Sequence, residues 1–149
     1  MTAGCLICLQ EEANPADVVF ADGQWSAGVI AGYDVPGWIV LRLRRHAEGF
    51  AQLTADELAQ FGRRVRDIIS AVRGVTGAAA TYLMIFGEAN PHLHALITPR
   101  TAEVGEDRRL GDILRLRTEC NDAEAARALV PAIRAAYLTL AAQPAGAGA

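Results

Sequence analysis

Few residues in this chain can do chemistry, and they are unevenly placed. Histidine occurs three times, as His46, His92 and His94, and cysteine three times, as Cys5, Cys8 and Cys120. All 14 basic residues are arginine, which excludes Schiff-base catalysis by lysine and a phosphate-binding loop built on one. Cys5-Leu6-Ile7-Cys8 is a CxxC pair. A thioredoxin-type motif should follow a strand and open a helix, which a site five residues from the first residue hardly can, and no histidine follows Cys8 to suit haem attachment. Two readings stand: a pair of small buried hydrophobes, or two adjacent corners of a tetrahedral zinc site whose other ligands lie elsewhere. His92 and His94 are two apart in a strand-like run, so both rings project from one sheet face. His46 follows Arg44-Arg45 at the end of a predicted strand, where a surface side chain is the ordinary expectation.

The elements that must position these residues are legible from pattern. Residues 17–20 and 24–31 read as strands around the Ala21-Asp22-Gly23 break. Pro36-Gly37 marks a turn before a third strand over 38–43, rich in β-favouring residues. The spacing predicts a helix over 55–72, opened by a capping box between Thr54 and Glu57. Leu58, Phe61, Val65, Ile68, Ile69 and Val72 form its buried stripe, Arg63, Arg64, Arg66 and Asp67 its solvated face, and Gly74 and Gly77 its end. Strands follow over 80–86 and 93–97, joined by the loop 87–91. The last third is helical, with Ala125, Leu129, Ile133, Ala136, Tyr137 and Leu140 on one face and a kink expected at Pro131. Five strands with one long helix and C-terminal helices make an α+β domain over 1–141 on a largely antiparallel sheet, with 142–149 a flexible tail.

Composition bounds the partners. The 149 residues suit one domain. The 52% apolar share includes 29 alanines, so the core is smaller than that figure suggests. A net charge of −3 and a pI near 5.6 without a basic stripe argue against nucleic-acid binding. No run approaches the ~18–20 apolar residues of a membrane span, the first residues do not read as a signal peptide, and three cysteines do not make a secreted disulfide framework. The expectation is a cytoplasmic protein with no membrane partner.

The run Asn90-Pro-His-Leu-His-Ala-Leu-Ile-Thr-Pro-Arg100 resembles the signature of the histidine triad superfamily, His-x-His-x-His or His-x-His-x-Gln ahead of Pro-Arg. Cys5-Leu-Ile-Cys8 resembles the Cys-x-x-Cys opening of many members. The stretch from Asp34 to His46, with Pro36-Gly37 and Arg45-His46, resembles the family's segment between them, and the Leu53-Thr54-x-x-Glu57 helix start stands in the family's place. The likeness runs from Cys5 to Arg100. It implies the histidine triad fold, a homodimer, and a structural Zn2+ held by Cys5, Cys8, His46 and His92, as in zinc-containing members and the related galactose phosphate uridylyltransferases. It further implies that His94 is the catalytic nucleophile, attacking an α-phosphate of a nucleotide or nucleotide-like small molecule to form a nucleotidyl-histidine. Asn90, Arg100, Leu96 and backbone amides of the 88–91 loop then face the substrate, and Cys120 takes no part. The sequence departs from the family at Leu96, which fills the third triad position, and at Trp38, which replaces the histidine after Pro-Gly. Val18, Phe20 and Ile30 could face a base but read as core. The reading is a hydrolase or nucleotidyl transferase; the alternative is a zinc-stabilised binding protein or a repurposed pathway enzyme without nucleotide hydrolysis.

Overall fold

The computed structural model describes residues 4–10 and 14–143. Five strands, β1 (Val18–Ala21), β2 (Trp25–Gly28), β3 (Ile39–Leu43), β4 (Ala80–Met84) and β5 (His94–Arg100), form one sheet in the order β1-β2-β3-β5-β4, antiparallel throughout. Among the described residues four α-helices accompany it: α1 (Leu6–Leu9), α2 (Ala55–Thr76), α3 (Leu116–Glu119) and α4 (Ala123–Ala141). The expected tail falls largely on residues 144–149, outside the described residues.

Every residue of β3 is buried, which requires cover on both sheet faces. On one face Ile39, Leu41, Leu43, Ala95 and Ile97 pack against Ile68 and Val72 of α2 and Val130 and Ile133 of α4. On the other, Val40 and Leu96 pack with Ile7, Trp38, Ile113 and Leu116. That second cover is short: α1 at one end, and the 3-10 helix Leu110–Arg115 running into α3 at the other.

Helix α2 begins as the sequence predicts. Thr54 Oγ1 accepts from Glu57 N at 3.2 Å and Glu57 Oε2 accepts from Thr54 N at 2.8 Å. It ends later than expected, at Thr76, because Gly74 stays helical while Gly77 adopts φ 67° and donates to Arg73 O at 2.9 Å, the left-handed stop that glycine takes at no steric cost. The inward stripe runs through 57, 61, 65, 68 and 72, so Glu57 fills the first inward slot and Leu58 is 53% exposed. Asp67, expected on the outer face, is buried and takes Arg66 Nε at 2.8 Å. Arg64, also expected outside, donates to Tyr137 Oη at 2.9 Å and to Asp22 Oδ2 at 2.6 Å, tying the β1–β2 turn to α4. Phe20 stacks on Tyr137 with ring centroids 4.4 Å apart, so it belongs to the helix-side core. Helix α4 runs unbroken through the exposed Pro131.

Strand β2 stops at Gly28, short of the expected 31, where the chain presses against the start of β1. Val29 N donates to Asp17 O at 2.9 Å, and a Cβ on Gly28 would lie 2.3 Å from that same oxygen. Gly28→Ala should therefore lower stability by ~1–3 kcal/mol through overpacking. Gly62→Ala, in open space on α2, should raise it by ~0.5–1 kcal/mol. Urea unfolding of the two variants beside wild type checks both signs.

Candidate metal centre and adjoining histidine

Three separate stretches deliver four metal-type ligands to one point. Cys5 is the N-cap of α1, its sulfur accepting from Cys8 N at 3.4 Å, and one helical turn brings Cys8 beside it. Ile7, between them, is buried in the sheet-face cluster and plugs this turn onto the domain. His46 stands three residues past β3, and His92 two residues before β5. The ligand atoms of Cys5, Cys8, His46 and His92 all lie within 4.8 Å of one another. His92 Nδ1 is 3.4 Å from both sulfurs, and His46 Nδ1 is 3.5 Å from that of Cys8. Tetrahedral zinc with Zn–S ~2.3 Å and Zn–N ~2.1 Å separates neighbouring sulfur and nitrogen ligands by about 3.6 Å. The donor set and its spacing fit that ion. All three cysteines are free thiols, and Cys120 is exposed on another part of the surface.

His92 is wholly buried, and its protonation is set by its neighbours. Leu43 O can only accept, so at 2.6 Å it fixes the proton on His92 Nε2 and leaves the Nδ1 lone pair toward the thiols. Burial pushes this imidazole below the usual histidine range, against the pull of the Leu43 carbonyl. The neutral form is the one that ligates metal.

His94 is fixed in the same way from the opposite nitrogen. Its Nδ1 lies 2.6 Å from His92 O, so Nδ1 carries the proton and Nε2 carries the free lone pair. His94 is buried, as are its cross-strand partner Arg42 and that residue's partner Ser26. These three polar residues form one row across β5, β3 and β2. A shallow cleft borders the row, walled by Gln10, Ser26, Gly28, Ile30 and Arg42, and His94 is not among the residues that line it. Arg42 Nη2 donates to Gln10 O at 3.1 Å. Sequence reasoning passed over Arg42, although a charged residue between Leu41 and Leu43 in an otherwise apolar strand was a visible signal.

No protein-family model matches the sequence, and neither does any curated protein. Solved structures do. A hypothetical histidine triad nucleotide-binding protein from Sulfolobus tokodaii superposes with TM-score 0.70 at 18% identity, over 91% of this chain and 93% of that one. A Zn-bound histidine triad family protein from Mycobacterium smegmatis gives 0.68 at 16%, over 93% and 96%. The chain has the histidine triad fold. A uridylyltransferase also matches, with TM-score 0.67 at 20% identity over 91% of this chain but 45% of its own length.

In histidine triad terms the three signature positions part company here. The first, His92, meets the cysteines, and the second, His94, faces the polar row. The third, Leu96, is 2% exposed between Val40 and Met84, packed with Trp38, Ile113 and Leu116. The 110–119 segment lies over it. Trp38 belongs to the same apolar cluster, so the two departures from the family pattern pack together. Asn90 sits in the turn before His92, its carbonyl accepting from His92 N at 2.7 Å. Arg100 is six residues along β5 from His94, roughly 20 Å at ~3.3 Å per residue, and the fold does not bring it there. Val18 and Ile30 border the cleft. Asp34 serves its own loop, accepting from Gly32 N at 2.7 Å.

Leu96→His, which completes the triad in sequence, buries an imidazole among Trp38, Ile113 and Leu116. It should cost ~1–3 kcal/mol for the unpaired polar group, read as a lower urea midpoint.

Proposed function

We propose that this protein is a member of the histidine triad family that transfers a nucleotidyl group, or hydrolyses a nucleotide, through His94. The observation that carries the reading is the 2.6 Å contact between His94 Nδ1 and His92 O. A backbone acceptor holds one nitrogen protonated and presents the other as a nucleophile, and no other imidazole is free of the ligand cluster. In the first step the Nε2 lone pair forms a bond to the α-phosphorus while the bond to the leaving group breaks, and that group departs with the electron pair. In the second, an oxygen of water or another acceptor forms a bond to phosphorus and releases its proton to solvent, the P–N bond breaks, and Nε2 regains its lone pair. Through both, His94 Nδ1 keeps its proton and donates it in a hydrogen bond to His92 O. Amides of the 88–91 loop, with Asn90, are the donors nearest in sequence for the phosphate oxygens. Cys5, Cys8, His46 and His92 hold zinc, which when bound supplies a structural cross-link and fixes His92 rather than acting on substrate. The nucleotide-binding and uridylyltransferase names of the structures with this fold support the substrate class.

A second reading, nucleotide binding without turnover, is favoured by one observation: Leu96 sits under the 110–119 segment and has no hydrogen bond to give a phosphate. Assembly as a homodimer finds support at β4, an edge strand whose Leu83, with Ile85, Phe86 and Leu110 nearby, is exposed. Among the described residues no helix is long and apolar enough to cross a membrane.

Metal analysis should return about one zinc per chain. Because structural zinc contributes ~10 kcal/mol or more of apparent binding energy, a strong chelator should lower the melting temperature sharply, and Cys120→Ser should leave the zinc content unchanged. Mixing the protein with an adenosine phosphoramidate or a dinucleoside polyphosphate and quenching in alkali should trap a nucleotidyl group on His94. His94→Ala should lose adduct and turnover and keep its zinc. Tight nucleotide binding with neither adduct nor turnover would give the second reading its place. Turnover that survives His94→Ala would refute the nucleophile.

A further inference from the structure

Of the four ligands, His46 has the least regular structure around it. The backbone leaves β3 at Leu43 and does not enter α2 until Ala55, so His46 depends on what ties down its two neighbours. Ala47, on one side, is fully buried and its carbonyl accepts from Leu93 N at 2.6 Å, directly beside His92. Arg45, on the other, reaches the start of α2. Its Nε and Nη2 donate to Glu57 Oε1 and Oε2, each at 2.6 Å, and Nη2 also donates to Gln52 O at 2.7 Å.

Glu57 is more than a helix cap. It is 5% exposed and fills an inward slot of α2 that periodicity alone would give to an apolar side chain. Capping would be served equally by glutamine at this position; a paired fork of hydrogen bonds to a guanidinium would not. Burial opposes the charge, yet the hydrogen bonds from Arg45 bring the carboxyl down to about 2. The helix N-terminus favours the same anion. A buried carboxylate held in this way fixes Arg45, and Arg45 is covalently next to a metal-type ligand.

We propose that Glu57 is a positioning residue of the metal centre: through Arg45 it sets the backbone that carries His46, and with it how tightly the four-ligand site closes. The proposal rests on the zinc reading above and is independent of nucleotidyl transfer.

The test uses the full chain and Glu57→Gln, which keeps the size and the capping amide but loses the charge. Zinc affinity is measured by competition with a chromophoric chelator, and site geometry by the visible absorption of the Co2+-substituted protein. Glu57→Gln should weaken zinc by ~10–100-fold, as loss of an outer partner of a ligand typically does, and should reduce the tetrahedral Co2+ bands. Arg45→Gln should do the same, and the double variant should be no worse than either alone. In a His46→Ala background, Glu57→Gln should change zinc affinity no further. Wild-type zinc affinity in Glu57→Gln would overturn the proposal, as would an equal loss in the His46→Ala background, which would mark a general effect on the fold. Should Glu57→Gln fail to fold, Arg45→Gln, altered at a half-exposed side chain, decides the same comparison. Wild-type protein that binds no zinc would remove the metal reading and this proposal with it; zinc-loaded wild type beside an unaffected variant removes this proposal alone.

Discussion

His92 is the residue on which the rest of the site depends, because three unrelated parts of the chain meet at its atoms. Its Nε2–H donates to Leu43 O at the end of β3, its Nδ1 lies 3.4 Å from both thiols of the N-terminal turn, and its carbonyl accepts from His94 Nδ1–H. Each contact determines the next. The Leu43 bond selects the tautomer, the tautomer turns a lone pair toward the cysteines, and a ring held at both nitrogens holds the peptide whose carbonyl orients His94. Nothing in this chain of contacts needs a further charged group, which suits a pocket buried in a sheet.

The two-sided cover of the sheet explains why chemistry is confined to one end of it. Helices α2 and α4 cover the centre of the first face and leave Leu83 of the edge strand β4 exposed. On the second, the cover comes in two short pieces, and the polar row Ser26–Arg42–His94 lies toward α1 while Leu96, Val40 and Trp38 lie under the 110–119 segment. Side chains two apart on β5 point the same way, so His94 and Leu96 share a face and differ only in what lies above them. An apolar side chain at position 96 is what the cover of Ile113 and Leu116 demands. The apolar side chain at position 96 and the segment that lies over it are thus one structural fact.

What could be read from the sequence was mostly local or short in period. The capping box at Thr54 and Glu57, the strand runs, the turn at Pro36-Gly37 and the ligand-type residues all announce themselves within a few positions. The phase of a helix against its sheet does not. Periodicity identified a stripe on α2 but assigned its first turn to Leu58, because a hydrophobic residue is the default occupant of an inward slot. Glu57 takes the slot since Arg45, twelve residues earlier, is waiting there. Asp67 and Arg64 depart from the outer face for the same reason: each meets a charged or hydroxyl partner, Arg66 for the one, Asp22 and Tyr137 for the other. Arg100 shows the converse error, in which a residue adjacent in a motif is carried far from the site by the strand between.

These long-range pairings also bear on how the site could vary without losing the fold. The hydrophobic core on the helix side is large and shares no residue with the ligand cluster. The opposite cluster includes Ile7, packs Cys5 at its edge and encloses Leu96, so the Cys/His cluster, the strand that carries His94 and the 110–119 segment are mechanically continuous there. A substitution among Val130 or Ile133 should be felt as stability alone. One at Ile7, Leu96 or Ile113 acts on stability and on site geometry together, because the atoms that fill the second face are the same ones that set the height of α1 beside His94 and of the 110–119 segment above Leu96. Substitutions in such a fold that spare the helix-side packing fall on the thin face, where Trp38 and Leu96 pack together.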